Sequence, residues 1–175
     1  MGIDCTLWQI SPEKLRCLID SEEAVEEFID FVFPEDYVEE VFQDISKTSQ
    51  FYEKDLGLEK MWHLLHYMLT GDEDSEVFPL AFAIVVGHSI NEIWEDLTYV
   101  EPHEVKEIAT AISNISETKI RARIAGLASE DIDIYGGIDY SDDDDIVETL
   151  SYISKLKEFY IEAAMNGNAV LHLIS

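Results

Sequence analysis

The sequence predicts an α+β fold, mostly helical, with a small sheet formed by the N- and C-terminal strands. Three observations carry this reading. Apolar residues recur at helical spacing through most of the chain, residues 3–10 open it with a β-branched and aromatic run, and residues 169–174 close it with another. A length of 175 residues suits one domain over 1–175, and no internal repeat or Gly/Ser/Pro-rich linker marks a second.

After the opening strand, Ser11-Pro12-Glu13 places an N-cap before a proline at the first helical position, which predicts a helix to about Ile19. Ser21 starts a second, acidic helix with Val25, Phe28, Ile29 and Val32 on one face, closed by Pro34. Val38, Val41, Phe42 and Ile45 repeat the helical spacing beyond it. From Leu58, an apolar stripe through Met61, Trp62, Leu65, Met68 and Leu69 predicts a helix that Gly71 ends in a polar loop, 72–76. Residues 80–86 fit a helix or a buried strand equally well. Pro102 starts a helix through Val105, Ile108, Ala109 and Ile112, and Ser116-Glu117 caps the next, through Ile120, Ile124 and Leu127. Between Glu130 and Glu148 stand nine acidic residues and no basic one. Ser141 and Asp142 to Asp145 set an N-cap and carboxylates at the positive end of a helix macrodipole, ahead of Ile146, Leu150, Ile153, Leu156, Tyr160 and Ala164. A long helix ending at Asn166-Gly167 follows from that pattern.

The 38 acidic side chains exceed the 11 basic ones by 27, a formal charge of −27. Nucleic-acid backbones demand clustered Lys and Arg, and the one basic concentration is Lys119, Arg121 and Arg123, so no nucleic acid and no anionic membrane is expected as a partner. The longest apolar stretch, 77–86, falls well short of the ~20 residues that cross a bilayer. A start without a basic region or long apolar core points to a cytoplasmic protein, and Gly2 with Thr6 is a short, common match to a myristoylation signal. Cys5 and Cys17 form no Cys-x-x-Cys pair and are expected to be reduced, buried thiols.

Several segments occur in the order of one family: Met1-Gly2-Ile3, residues 58–71 with Lys60-Met61-Trp62-His63-Leu64-Leu65-His66, Val86-Gly87-His88-Ser89-Ile90, Pro102 with Glu104-Val105, Asp133-Ile134-Tyr135, and Gly167-Asn168-Ala169-Val170-Leu171. Over essentially its whole length the chain resembles the YfbM-like family of small bacterial proteins, which carries a domain of unknown function. The Lys-x-Trp-x-x-Leu-His stretch is the most specific part. The resemblance implies an α+β fold with both termini in a small sheet, and no known activity.

Candidate constellations are few. His63 and His66, three apart on a helix, have a spacing that serves a metal, but two ligands make no site, and no metal or cofactor is expected. The ordinary alternative is a core-edge His66 hydrogen-bonded to backbone. Asp131, Asp133, Gly136 and Asp142 imitate a calcium loop but fail at Tyr135, position 5, and at Asp142, where a bidentate Glu belongs. Gly87-His88-Ser89 sets a hydroxyl beside an imidazole without a nucleophile-elbow pattern, and a turn explains it as well. Trp62, His66, His88 and Tyr135, all within the family-resembling segments, form the candidate pocket. No catalytic residue is singled out.

Three readings of function follow. The favoured one is a non-enzymatic acidic binding protein, of an immunity type that neutralises a basic protein partner, with exposed aromatics such as Trp8, Tyr37 or Tyr52 flanking the acidic surface. The alternative is an enzyme or small-ligand binder with its pocket around His66 and His88. In the third, the charge serves solubility alone.

Overall fold

A computed structural model describes residues 3–32, 51–127, 134–135 and 143–175. In chain order the elements are β1 (Cys5–Ile10), α1 (Pro12–Asp20), α2 (Glu22–Val32), β2 (Lys54–Glu59), α3 (Trp62–Thr70), a single 3₁₀ turn (Ala81–Ala83), β3 (His88–Ser89), β4 (Leu97–Val100), α4 (Pro102–Ser113), α5 (Glu117–Leu127), α6 (Asp143–Asn166) and β5 (Ala169–Ile174). The α+β class is as the sequence predicts.

The sheet is antiparallel with strand order β2-β1-β5-β4-β3. Its centre is the predicted pairing of the two chain ends, with Cys5 opposite Ile174 and Ile10 opposite Ala169. Both faces of that pair are covered, which explains why β1 and β5 are apolar almost continuously. On one face Cys5, Leu7, Val100 and Val170 pack with Leu65 and Leu69 of α3, Val105 and Ile108 of α4, and Leu156, Phe159 and Tyr160 of α6. On the other, Trp8, Ile10, Leu97, Leu171 and Leu173 pack under α1 and α2 through Leu15, Leu18, Val25 and Phe28. A third cluster joins α3 to α5 and α6 through Leu64, Met68, Ile120, Ile124 and Leu150.

The helix signals work by local hydrogen bonding. Ser11 Oγ accepts from the Lys14 N–H at 3.3 Å, Ser21 Oγ from Ala24 at 3.2 Å, and Ser116 Oγ from Lys119 at 3.2 Å. At Pro102 a capping box closes, with the Glu101 N–H donating to Glu104 Oε2 at 2.8 Å.

Several expectations are corrected. The stripe from Leu58 is not one helix: Leu58 is buried in β2, Glu59 turns the chain at φ 49°, and α3 starts at Trp62. Leu58 lies in phase with Met61 and Leu65, so periodicity runs straight through the break. Residues 80–86 are neither a long helix nor a strand; they hold one 3₁₀ turn. The sheet gains β2, β3 and β4, which are short or polar and show no run of alternating apolar residues. Cys5 is buried as expected, whereas Cys17 is exposed on α1. Trp8 and Tyr52 are buried at 4% and 6% exposure, because they belong to the core beneath α2, with ring centroids 6.4 Å apart. Tyr37, the helical spacing at 38–45, the cap at Ser141 and the calcium-like loop apart from Tyr135 fall outside the described residues.

Candidate functional site

The site begins with α3. Its sequence, Trp-His-Leu-Leu-His-Tyr-Met-Leu-Thr, is apolar nearly all round, so the helix is wedged between the first and third clusters and buries every residue from Leu64 to Leu69. His66 is carried inward with them and is fully buried. The helix stops at Gly71, whose φ of +86° favours glycine and whose N–H returns to the Tyr67 carbonyl at 2.7 Å. The Arg123 guanidinium of α5 lies against that glycine; it donates to the Thr70 carbonyl at 2.9 Å and also to the Met68 carbonyl. A cation there satisfies two end-of-helix acceptors and complements the dipole. Arg123→Ala is expected to cost about 2 kcal/mol, in the range for hydrogen bonds to charged groups, measured by urea unfolding. A cost below about 0.5 kcal/mol would show that water replaces the guanidinium at those carbonyls.

Beyond Gly71, loop 72–76 folds back over α3. The two histidines divide sharply here. His63 Nδ1 accepts from the Tyr135 N–H at 2.9 Å, so the proton of its neutral ring sits on Nε2, which faces the Glu73 carbonyl at 3.3 Å. Neither ring nitrogen of His66 has a partner in direct hydrogen-bonding geometry among the described residues, and only the Ser75 backbone acts on it, as a longer hydrogen-bonding contact. His63 is therefore tied firmly to backbone groups, while His66, expected to bond to backbone, has only the long contact with the Ser75 backbone and is under-satisfied. Such a group costs about 1–3 kcal/mol and is rare in native interiors. Burial, followed by the neighbouring His63, holds the His66 pKa below that of an ordinary histidine. The Ser75 backbone, Asp72 and Asp74 work the other way without overcoming this. At neutral pH the ring is uncharged, with one donor and one acceptor to offer.

His66 lines a cavity of about 610 Å³ bounded by Trp62 and His63, by Glu73 to Glu76 of the loop, by Val85 to Gly87, and by Thr98 of β4. Gly87 makes the far wall feasible: a Cβ there would stand 2.8 Å from Thr98 Oγ1 and 3.0 Å from the Tyr99 carbonyl. Only a residue without a side chain brings that segment so close to the sheet.

Of the four candidate residues, Trp62 and His66 line the cavity; His88 and Tyr135 do not. His88 pairs with Tyr99, one residue out of step with Thr98, and its Nε2 meets both carboxylate oxygens of Glu104 at 2.8 and 3.0 Å. Tyr135 sits behind Trp62, with ring centroids 6.0 Å apart, and its hydroxyl accepts from the Ile3 N–H at 2.6 Å. Ser89 Oγ donates to the Asn91 carbonyl at 2.8 Å, so the Gly87-His88-Ser89 turn makes no nucleophile and base pair. His63 has committed both ring nitrogens, and no group of three or more His, Cys, Asp or Glu among the described residues is arranged to hold a metal. The cavity's acidic rim, Val85, Val86 and Thr98 were missed from sequence. The one available signal was the polar run 72–76 directly after the His66 helix.

The comparisons agree with this architecture. The crystal structure of YfbM, a protein of unknown function from Escherichia coli, superposes with a TM-score of 0.67 at 19% identity, covering 98% of this chain and 99% of that one. At that identity the likeness is one of fold. Comparison with curated proteins finds no match. The profile of a family described as a domain of unknown function, DUF1877, matches residues 1–173, and the chain belongs to that family.

Proposed function

We propose that this is a non-enzymatic cytoplasmic binding protein whose acidic surface receives a basic protein partner. The observation that supports the reading best is α2. Its outer face carries Glu22, Glu23, Glu26, Glu27 and Asp30, all exposed, and the helix contains no basic residue. Like charges along one helix face oppose helix formation, so the packing of Val25, Phe28 and Ile29 has to hold them in place. Lys14, on α1, and Lys54, on β2, already pair with Glu53 and Glu162, and the basic residue nearest to α2 in sequence is the exposed Arg16 of α1.

Such a surface accelerates encounter with positive partners and repels others. Trp8 and Tyr52 belong to the core under α2, so recognition rests on charge and backbone shape, without those two aromatic anchors. An immunity-type role, in which the protein covers a basic toxin, is the specific form that this chemistry favours. The test is a pull-down from the source lysate with the protein and with a Glu22→Gln, Glu23→Gln, Glu26→Gln, Glu27→Gln variant. One stoichiometric basic protein that survives about 0.15 M salt and is lost with the variant is the expected result. Capture that is equal with both proteins, or that disappears at this salt, would overturn the reading.

A further inference from the structure

A different observation, independent of the acidic surface of α2, concerns the cavity beside α3. We propose that the His66 cavity is a binding site for a small organic cation, an alkylamine or alkylguanidine. A volume of about 610 Å³ lies within the range of small-molecule sites and far exceeds what a bare ion needs. At its inner end stands His66, fully buried, with neither ring nitrogen in direct hydrogen-bonding geometry with a described residue and only the Ser75 backbone acting on it at longer range. A neutral imidazole accepts one N–H from an amine or guanidine and donates its own N–H to a hydroxyl or carbonyl. The adjacent His63 cannot do this, since both its nitrogens are committed to backbone groups.

The charge of the ligand follows from the rim. Glu73, Asp74 and Glu76 line the opening, and no Lys or Arg among the described residues lines the cavity, so an anion is repelled while a cation is drawn in. Val85 and Val86 supply an apolar part of the wall, which suits a short hydrocarbon chain. The site therefore reads as a charged end, an apolar part of the wall and a hydrogen-bonding inner end. A cation that carries further N–H donors on a chain of a few carbons matches all three.

Isothermal titration of the full chain with agmatine and with putrescine, using glutarate as the anionic counterpart, tests this at about 0.15 M salt, where loose attraction to a highly charged surface is screened. The expected result is one-to-one binding of at least one of the two cations and none of glutarate. His66→Leu, which removes both ring nitrogens and fills their place with an apolar side chain of similar size, should weaken binding tenfold or more with the fold intact by circular dichroism. Glu76→Gln, on the exposed rim, should weaken it severalfold without touching the core. The α2 glutamine variant should bind the same cation unchanged, so failure here and failure of the basic-partner reading are distinguishable. No binding of either cation, equal binding of glutarate, or binding indifferent to both His66→Leu and Glu76→Gln would overturn the proposal.

Discussion

Phe28→Ala is expected to lower the free energy of unfolding by about 4 kcal/mol, within the range for truncating a buried phenylalanine. Phe28 is fully buried, and its ring meets Trp8 edge-on with centroids 5.3 Å apart and an interplanar angle of 85°. Phe51 approaches the same ring at 6.4 Å. Removing it opens a void bounded by the sheet on one side and α2 on the other, and rigid neighbours close such a void only in part. A domain's whole stability is about 5–15 kcal/mol, so the loss is a large share of it. Urea unfolding followed by tryptophan fluorescence and by circular dichroism gives the value. A loss under about 1.5 kcal/mol would mean that α1 and α2 are not cooperative with the sheet.

The second large effect is a loss of stability in acid, traceable to His172. On β5, this ring lies against Tyr160, whose hydroxyl donates to the Ala83 carbonyl at 2.9 Å and stands 3.1 Å from His172 Nε2. Since the Tyr160 proton is already used, Nε2 carries the imidazole hydrogen and Nδ1 is a bare acceptor, with no partner among the described residues. A proton on Nδ1 would bring a buried charge with nothing to receive it. Burial accordingly lowers the His172 pKa from 6.5 to about 3.

The unfolded chain therefore takes up this proton near pH 6.5, while the folded one refuses it until about pH 3. Acidification through that window favours unfolding, and stability is fully retained only above pH 6.5. At about 1.4 kcal/mol per pH unit, the loss reaches about 2 kcal/mol by pH 5. His66, also held below an ordinary histidine, contributes in the same direction. Protonation of carboxylates relieves repulsion in a chain of charge −27 and works oppositely, so the comparison must be with a His172→Gln variant. Its stability difference from the wild type should change by about 2 kcal/mol between pH 7.5 and pH 5. A constant difference would mean that the folded protein protonates His172 freely.

What could be read from the sequence was local in the chain. The bounds of β5, the starts at Ser11, Ser21, Pro102 and Ser116, and the end of α6 near Gly167 all depend on residues within about four positions of one another. The two end strands were legible because β1 and β5 are nearly continuous apolar runs, and their joining in one sheet is what the family resemblance implies. Helix and strand periodicity coincide around Leu58, and β2 and β3 are exposed at a sheet edge, so neither strand declared itself.

The site was legible only as one helix. Trp62 and His66 stood out by residue type, and they do line the cavity. His88 and Tyr135 stood out equally, yet the strand register sends His88 to Glu104 and the Tyr135 backbone is tied to His63. A helical wheel places His63 outside the apolar stripe and His66 at its border. Loop 72–76 folding back over α3 satisfies His63, while the packing of α3 against two clusters leaves His66 under-satisfied, with only a long contact to the Ser75 backbone.

By itself the sequence determined the α+β class, the main helices, the joined ends and the charge. The tertiary structure alone decided which aromatics are core, which histidine is under-satisfied, and where the cavity lies. Caps and amphipathic faces are settled by neighbours along the chain. A cavity is made where residues 62–66, 73–76, 85–87 and 98 meet, and that meeting is settled by packing between segments far apart in sequence.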